Sequence, residues 1–438
     1  MLRFAPSPTG DLHIGNLRVA LINYILSRQK DEDFIIRIED TDESRNIEGK
    51  DKEIIEILKK FAIDTSNIIY QSQNLNIHQT LALQLLKEKK AFACFCDEDE
   101  LQEQRERAKR EKRAYRYSGR CLELSNEEIS KLKEQNKSFT IRVKKPSSAI
   151  IFNDLIKGEI KREPNDIDSF VILRANGKPT YNFACAVDDM SMDISLVVRG
   201  EDHLSNTPKQ IHIQNLLGFN KKIEYAHLPI ILNKDGKKMS KRDKASSVKW
   251  LLEEGFLPDA IINYLLSLGY NPPKEIFYLP DAIKWFDISK ISKSPAKFDI
   301  DQLRYLNRQH LKLMDSKELS KIFGFADKDI GELLKIYLEE ASTIKELEEK
   351  LKAIFSKKEC NNNWGESMKK LASIIKEAPM IDDFNEFKRY LMKKSNLKGK
   401  EFFKPLRLLL TGSEHGPELK EIYPKIKPYL LEVAQCQS

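Results

Sequence analysis

Arg3-Phe4-Ala5-Pro6-Ser7-Pro8-Thr9-Gly10-Asp11-Leu12-His13-Ile14-Gly15-Asn16-Leu17-Arg18 is the stretch on which the reading of the fold turns. Residues 2–5 are short and apolar enough for a buried strand. Pro6, Pro8 and Gly10 then exclude both a helix and a strand ladder. From Leu17 onward, Ala20, Leu21, Tyr24 and Ile25 recur at helical spacing. Strand, tight loop and helix are predicted in that order, with His13-Ile-Gly15-Asn16 at the helix start. A helix start presents free backbone N–H groups and the positive end of the helix dipole. Gly15 has no side chain to keep a phosphate from that backbone, and His13 adds a further donor.

Working outward, residues 34–40 read as a second strand, and residues 54–61 and 79–90 as amphipathic helices. This β–α–β–α order predicts an α/β fold: a doubly wound, Rossmann-like parallel sheet with its ligand at the carboxyl ends of the strands. From residue 91 to 184 the character changes. A densely charged helix over 97–116 precedes short strand-like runs at 139–143 and 169–173, which predicts an inserted α+β subdomain. The second half of the sheet resumes with a strand at 194–199 and a helix at 207–217. Another strand is predicted at 227–231. It leads through an Asp235-Gly236 turn into the mobile cationic loop Lys238-Met-Ser-Lys241-Arg242.

Beyond that loop the chain reads as helical, over 250–254, 258–268, 301–310, 333–352, 367–377, 384–394 and 416–431, with a hinge at 357–365. The expected organisation is a split nucleotide-binding domain (1–90 and 185–243), an insertion (91–184), a helical domain (244–314) and an all-α region (315–438). A length of 438 residues suits several domains. A composition 41% hydrophobic and 32% charged fits a globular protein, and the net charge of +7 permits a polyanionic partner. No apolar run reaches the roughly 18 residues that would signal a membrane-spanning helix, and no secretory leader is expected. The six scattered cysteines exclude a disulfide scaffold, so a reduced, cytoplasmic protein is expected.

Taken together, His13-Ile-Gly-Asn16 and Lys238-Met-Ser-Lys-Arg242 resemble the paired signatures of class I aminoacyl-tRNA synthetases. Further stretches sharpen the likeness: Arg3-Phe-Ala-Pro-Ser-Pro-Thr-Gly10, Arg37-Ile-Glu-Asp-Thr-Asp42, Pro179-Thr-Tyr-Asn-Phe-Ala184, Val187-Asp-Asp189, Arg199-Gly-Glu-Asp-His203 and Pro405-Leu-Arg-Leu-Leu-Leu-Thr-Gly412. With these, the chain resembles bacterial glutamyl-tRNA synthetases along essentially its whole length. Asn16 and Arg242 depart from the commonest forms of the two signatures, and both variants occur in that family.

The resemblance implies an ATP-dependent ligase. It would activate L-glutamate as glutamyl-adenylate and pass it to the 3′ end of tRNA. Arg3, Ser7, Glu39, Tyr181 and Arg199 would line the glutamate pocket. Two arginines suit two carboxylates and Glu39 suits the ammonium. Arg3 and Arg199 are expected at sheet edges in the two halves of the fold, facing one crevice. His13, Gly15 and Asn16 would hold the ATP phosphates. Lys238, Lys241 and Arg242 would supply charge toward the pyrophosphate, and Asp202, His203 and Ile231 would lie by the ribose and adenine. Mg²⁺ is implied with ATP. Cys94, Cys96 and Cys121, with Tyr117 or Glu123 as fourth ligand, point to structural zinc. Basic residues with Tyr115 and Tyr117 in the insertion suit the acceptor end of tRNA, the helical tail is expected to bind the anticodon, and a monomer is expected. Two rival readings are a paralogue that glutamylates a modified tRNA base and a small-molecule nucleotidyltransferase. The first lacks an anticodon-binding tail, and the second lacks the glutamate constellation.

Overall fold

Leu2 has a strand on either side: it stands opposite Phe34 in one direction and Leu196 in the other. The computed structural model describes every residue except Lys241, Arg242, Asn362 and Ser438. Its strands in chain order are β1 (Leu2–Phe4), β2 (Phe34–Ile38), β3 (Asn67–Tyr70), β4 (Ala91–Cys94), β5 (Thr140–Val143) and β6 (Ile150–Asp154). There follow β7 (Gly158–Arg162), β8 (Val171–Leu173), β9 (Leu196–Gly200), β10 (Glu224–Leu228), β11 (Ile231–Leu232) and β12 (Ala296–Lys297). The main sheet has the order β3-β2-β1-β9-β10-β6-β7. All its pairings are parallel except β6 with β7. Winding runs one way from β1 and the other way from β9, so the reversal falls between these two strands. That is where a doubly wound sheet opens a crevice. β1 and β2 are buried on both faces, which is why they read as unbroken apolar runs rather than alternating ones.

The helix Ile14–Lys30 follows β1, capped at its start by His13 and closed by Asp31 in the left-handed region. Arg3 and Arg199 do not sit at sheet edges. They lie on the adjacent central strands β1 and β9, because the order of the sheet places the beginning of the chain in its middle.

Three further expectations are corrected. Residues 227–231 are not one strand: β10 ends at Leu228, and Ile231–Leu232 pairs instead with Ala296–Lys297. Pro229, which has no N–H to donate, separates them. The insertion is not self-contained. β4, β5 and β8 form their own antiparallel sheet, but the hairpin of β6 and β7, which was not foreseen, extends the main sheet beyond β10. The helix expected over 333–352 is two, Asp329–Ile336 and Ile344–Phe355, because Thr343 caps a new start by accepting from the Glu346 N–H.

Two units are distinguished: Met1–Lys249 with Leu265–Phe298, and Trp250–Tyr264 with Asp299–Ser438. In the second, amphipathic helices bury Leu319, Leu334, Leu347, Leu371, Leu391, Leu406 and Ile422 in a common core. Of the hinge expected at 357–365, Asn362 lies outside the described residues, and Lys358 and Cys360 are tied down. Cys360 forms a disulfide with Cys436, against the expectation of a wholly reduced chain. Lys358 N donates to Gln435 O at 2.8 Å, and Gln437 N donates back to Lys358 O at 2.9 Å. Core residues from both sides of this segment pack together, which leaves nothing for a hinge to separate.

Gly331 lets two helices of this unit touch backbone to backbone. A Cβ there would lie 1.8 Å from Ser316 O. Gly331→Ala is therefore predicted to lower the unfolding free energy of this unit by about 1–3 kcal/mol. Denaturant titration reads the change, and an unshifted midpoint would contradict the close approach.

Candidate active site

At the sheet's reversal lies a cleft of about 380 Å³. The ends of β1 and β9 supply Arg3 and Arg199, and the loop after β1 supplies Ser7 and the His13-Gly15-Asn16 helix start. Glu39 follows β2, and Tyr181 opens the helix Tyr181–Ser191. Asp202, His203, Ile231 and Lys238 complete the wall. Lys241 and Arg242, also expected here, lie outside the described residues. The other expected residues of the glutamate and ATP sets all come together in this one cleft.

Arg3 and Glu39, which line the cleft, belong to a chain of alternating charges that continues into the buried interior. Arg3 donates from Nε and Nη2 to both Asp189 oxygens, at 2.9 and 3.2 Å. Arg37 donates from Nη1 to Asp189 Oδ1 at 2.6 Å and from Nη2 to Glu39 Oε1 at 3.3 Å. The Cys185 thiol donates to the same Glu39 oxygen at 3.1 Å. Arg37 is 0% exposed and Asp189 1%. Burial alone would raise the Asp189 carboxyl; the charges of Arg3 and Arg37 overcome it and hold the group far below the usual carboxylate range.

Arg37, Cys185 and Asp189 were not singled out from sequence as site residues. The signal was available for two of them. A charge inside the apolar run Phe34–Ile38, and paired acids in the largely apolar helix Tyr181–Ser191, must each find a partner when buried. Arg18 is a further cleft residue that was quoted but given no role. It is buried, donates to Leu268 O at 2.5 Å, and burial pushes its pKa down to about 10.

Arg199 is held differently. Its Nε donates to His227 Nε2 at 3.2 Å and its Nη2 to Thr207 Oγ1 at 2.7 Å. It touches no carboxylate among the described residues, and its Nη1 is buried without a partner. The His203 ring lies tilted against Tyr181, with centroids 5.6 Å apart, and the Tyr181 hydroxyl is 3.0 Å from His203 Nδ1. Burial first, and then the charge of Arg199, push the His203 pKa down to about 4, so the ring is neutral at pH 7.

At the other end, His13 Nδ1 accepts from Gly15 N at 3.0 Å. In a neutral ring this leaves the proton on Nε2 as a donor. A Cβ on Gly15 would come 3.2 Å from that Nδ1, so glycine also makes room for the cap. Lys238 Nζ donates to Asp202 Oδ2 at 2.9 Å on the exposed rim. Ile231 is buried, and its carbonyl accepts from Met239 N at 2.9 Å. Ser7 is exposed, its carbonyl accepting from Thr9 N at 2.9 Å.

Away from the cleft, Cys94, Cys96 and Cys121 bring their sulfurs within 4.8 Å of one another. The Tyr117 hydroxyl lies 3.5 Å from both Cys94 Sγ and Cys96 Sγ. Glu123 is exposed and stands outside this group. Three thiols and a phenol converging on one point form a donor set that suits a tetrahedral zinc ion.

Comparisons with known proteins point to one family. A family described as tRNA synthetases class I (E and Q), catalytic domain, matches residues 1–305, and an anticodon binding domain matches residues 304–426. The chain is 61% identical to glutamate–tRNA ligase 1 of Nitratiruptor sp. and 60% identical to glutamate–tRNA ligase 2 of Sulfurimonas denitrificans. Both alignments cover 99% of this chain and 100% of the relative. A crystal structure of a glutamate tRNA ligase from Elizabethkingia meningosepticum, in complex with its amino acid, superposes with a TM-score of 0.83. Its sequence is 29% identical, with 99% of this chain and 97% of that one covered.

Asp189 is the counter-ion that two buried arginines share. Breaking a buried ion pair by removing one partner costs about 3–5 kcal/mol. Asp189→Asn is predicted to lose that much unfolding free energy. A loss under about 1 kcal/mol in a denaturant titration would contradict the shared pairing.

Proposed function

The chain belongs to the class I tRNA synthetases of the glutamate and glutamine type, and from that premise we propose how its cleft divides the work. The reaction is the ATP-dependent ligation of glutamate to tRNA. The glutamate α-carboxylate attacks the α-phosphate of ATP, pyrophosphate leaves, and the glutamyl group passes to a ribose hydroxyl at the 3′ end of tRNA. No side-chain nucleophile is needed. The protein contributes positioning and charge.

In this assignment Arg3 and Arg199 receive the two carboxylates, Glu39 takes the ammonium, Tyr181 forms a wall and Ser7 adds a donor. The observation that carries it is Arg199, a buried guanidinium with neutral partners and an unsatisfied Nη1. An incoming carboxylate supplies both the missing charge and the missing acceptor. The neutral amide of glutamine supplies no charge, which is a basis for rejecting it. His13, Gly15 and Asn16 hold the phosphates of ATP, which enters with Mg²⁺. Asp202, His203 and Ile231 lie toward ribose and adenine. Lys238 can exchange its rim contact with Asp202 for the pyrophosphate, joined by Lys241 and Arg242. Residues 91–184 receive the acceptor end and residues 315–438 the anticodon end. We place the chain in the cytoplasm as a monomer. Glutamylation of a modified base is the weaker reading, because the anticodon-binding match covers residues 304–426.

Zinc held by Cys94, Cys96, Cys121 and Tyr117 would fix the approach of β4 to the segment around Cys121. It takes no part in the chemistry. Protein purified without chelator is predicted to carry about one zinc per chain, and Cys96→Ser to lose most of it. A metal-free wild type would contradict the assignment.

The function itself is tested by ATP–pyrophosphate exchange, with and without tRNA. Exchange is predicted to depend on glutamate and not to proceed with glutamine. Arg199→Ala is predicted to raise the glutamate KM about a hundredfold or more, the loss expected when a buried charge loses its partner. No exchange under either condition would contradict the reading.

A further inference from the structure

Asp154, Thr207, His227 and Arg199 form a hydrogen-bonded group beneath the cleft, and none is more than 6% exposed. Asp154 Oδ2 lies 2.6 Å from His227 Nδ1. His227 Nε2 lies 2.9 Å from Thr207 Oγ1 and 3.2 Å from Arg199 Nε. Acid, imidazole and hydroxyl in this order resemble a nucleophilic triad. The geometry excludes that role, because Thr207 is 0% exposed and its hydroxyl already accepts from Arg199 Nη2.

We propose that Asp154, His227 and Thr207 are positioning residues that lock the Arg199 guanidinium in place as the carboxylate receptor, and so help select a dicarboxylic over an amide substrate. The inference rests on the assignment of Arg199 to the glutamate pocket. An ionised carboxylate can only accept, so Asp154 obliges His227 to carry its proton on Nδ1. Nε2 is then a lone pair, facing Arg199 Nε–H and the Thr207 hydroxyl. The hydroxyl donates to that lone pair and accepts from Arg199 Nη2. Two nitrogens of the guanidinium are thereby fixed by side chains that cannot themselves rotate, and Nη1 remains for a ligand. The wrong imidazole tautomer would set one N–H against another and release the fork. Burial, together with the charge of Arg199, keeps the His227 ring neutral.

The brace comes from the hairpin that sequence did not reveal. Asp154 ends β6, and its Oδ1 accepts from Ile156 N at 3.0 Å, Lys157 N at 2.8 Å and His227 N at 3.3 Å. Lys157 Nζ reaches Glu201, whose other oxygen accepts from Ile230 N at 2.9 Å. The turn between β6 and β7 thus holds the segments just after β9 and β10, and the side chain between them.

Thr207→Val keeps shape and removes the hydroxyl; Asp154→Asn offers an amide donor that favours the wrong tautomer. In exchange assays on the full chain with tRNA, each is predicted to raise the glutamate KM about tenfold or more, to leave the ATP KM within about twofold, and to narrow the preference for glutamate over glutamine. Arg199→Ala serves as the reference. If it raises the glutamate KM while both positioning variants stay within about twofold, the inference fails and the pocket assignment stands. If Arg199→Ala itself has no effect, the pocket assignment fails first. Equal rises in both KM values would mark a merely structural role and overturn the proposal. Should Asp154→Asn not fold, Thr207→Val decides alone.

Discussion

One carboxylate shared by two buried arginines is the constraint on which the rest of this structure depends. Asp189 receives Arg3 from β1 and Arg37 from β2. Charges removed from water are costly, and they persist only when geometry and hydrogen bonding compensate them. The compensation here crosses the split in the chain. Asp189 belongs to the helix Tyr181–Ser191, beyond the insertion, while both arginines belong to the first strands. The same ion pairs therefore tie the first two strands of the sheet to the helix Tyr181–Ser191 and hold Arg3 where it lines the cleft.

The cleft is built in two styles. Where we propose that glutamate binds, charged side chains are fixed by other side chains: Arg3 by Asp189, Glu39 by Arg37 and Cys185, Arg199 by Thr207 and His227. Where we propose that ATP binds, the wall is a helix start, a glycine and a lysine on the rim. The difference suits the two proposed ligands. A small dicarboxylic acid must be told from its amide, which demands fixed complementary charge. A triphosphate carries charge in excess, and leaving pyrophosphate is better served by cations able to follow it.

Much of this was legible before any coordinates. The Pro-Ser-Pro-Thr-Gly loop between a strand and a helix located the crevice, because those residues permit little else. Arg3, Glu39, Tyr181 and Arg199 were named from motifs that sit at strand ends and helix starts, where local chemistry is dense. What escaped was non-local. The β6–β7 hairpin has weak alternation, and only its parallel pairing with β10 decides where it goes. Asp154 looked like one acid among many until His227 was set against it. The break at Thr343 hid inside a periodic run, since a cap needs only one hydroxyl. Cys360 and Cys436 are far apart in the chain, and nothing local announces that they meet.

A crystal structure of the full chain with L-glutamate bound tests the central claim most directly. The account predicts one substrate carboxylate within about 3 Å of Arg199 Nη1, the other within about 3 Å of Arg3, and the ammonium against Glu39, with Asp189 still bridging Arg3 and Arg37. Glutamate seated away from both arginines, or Asp189 drawn off its two partners on binding, would contradict it.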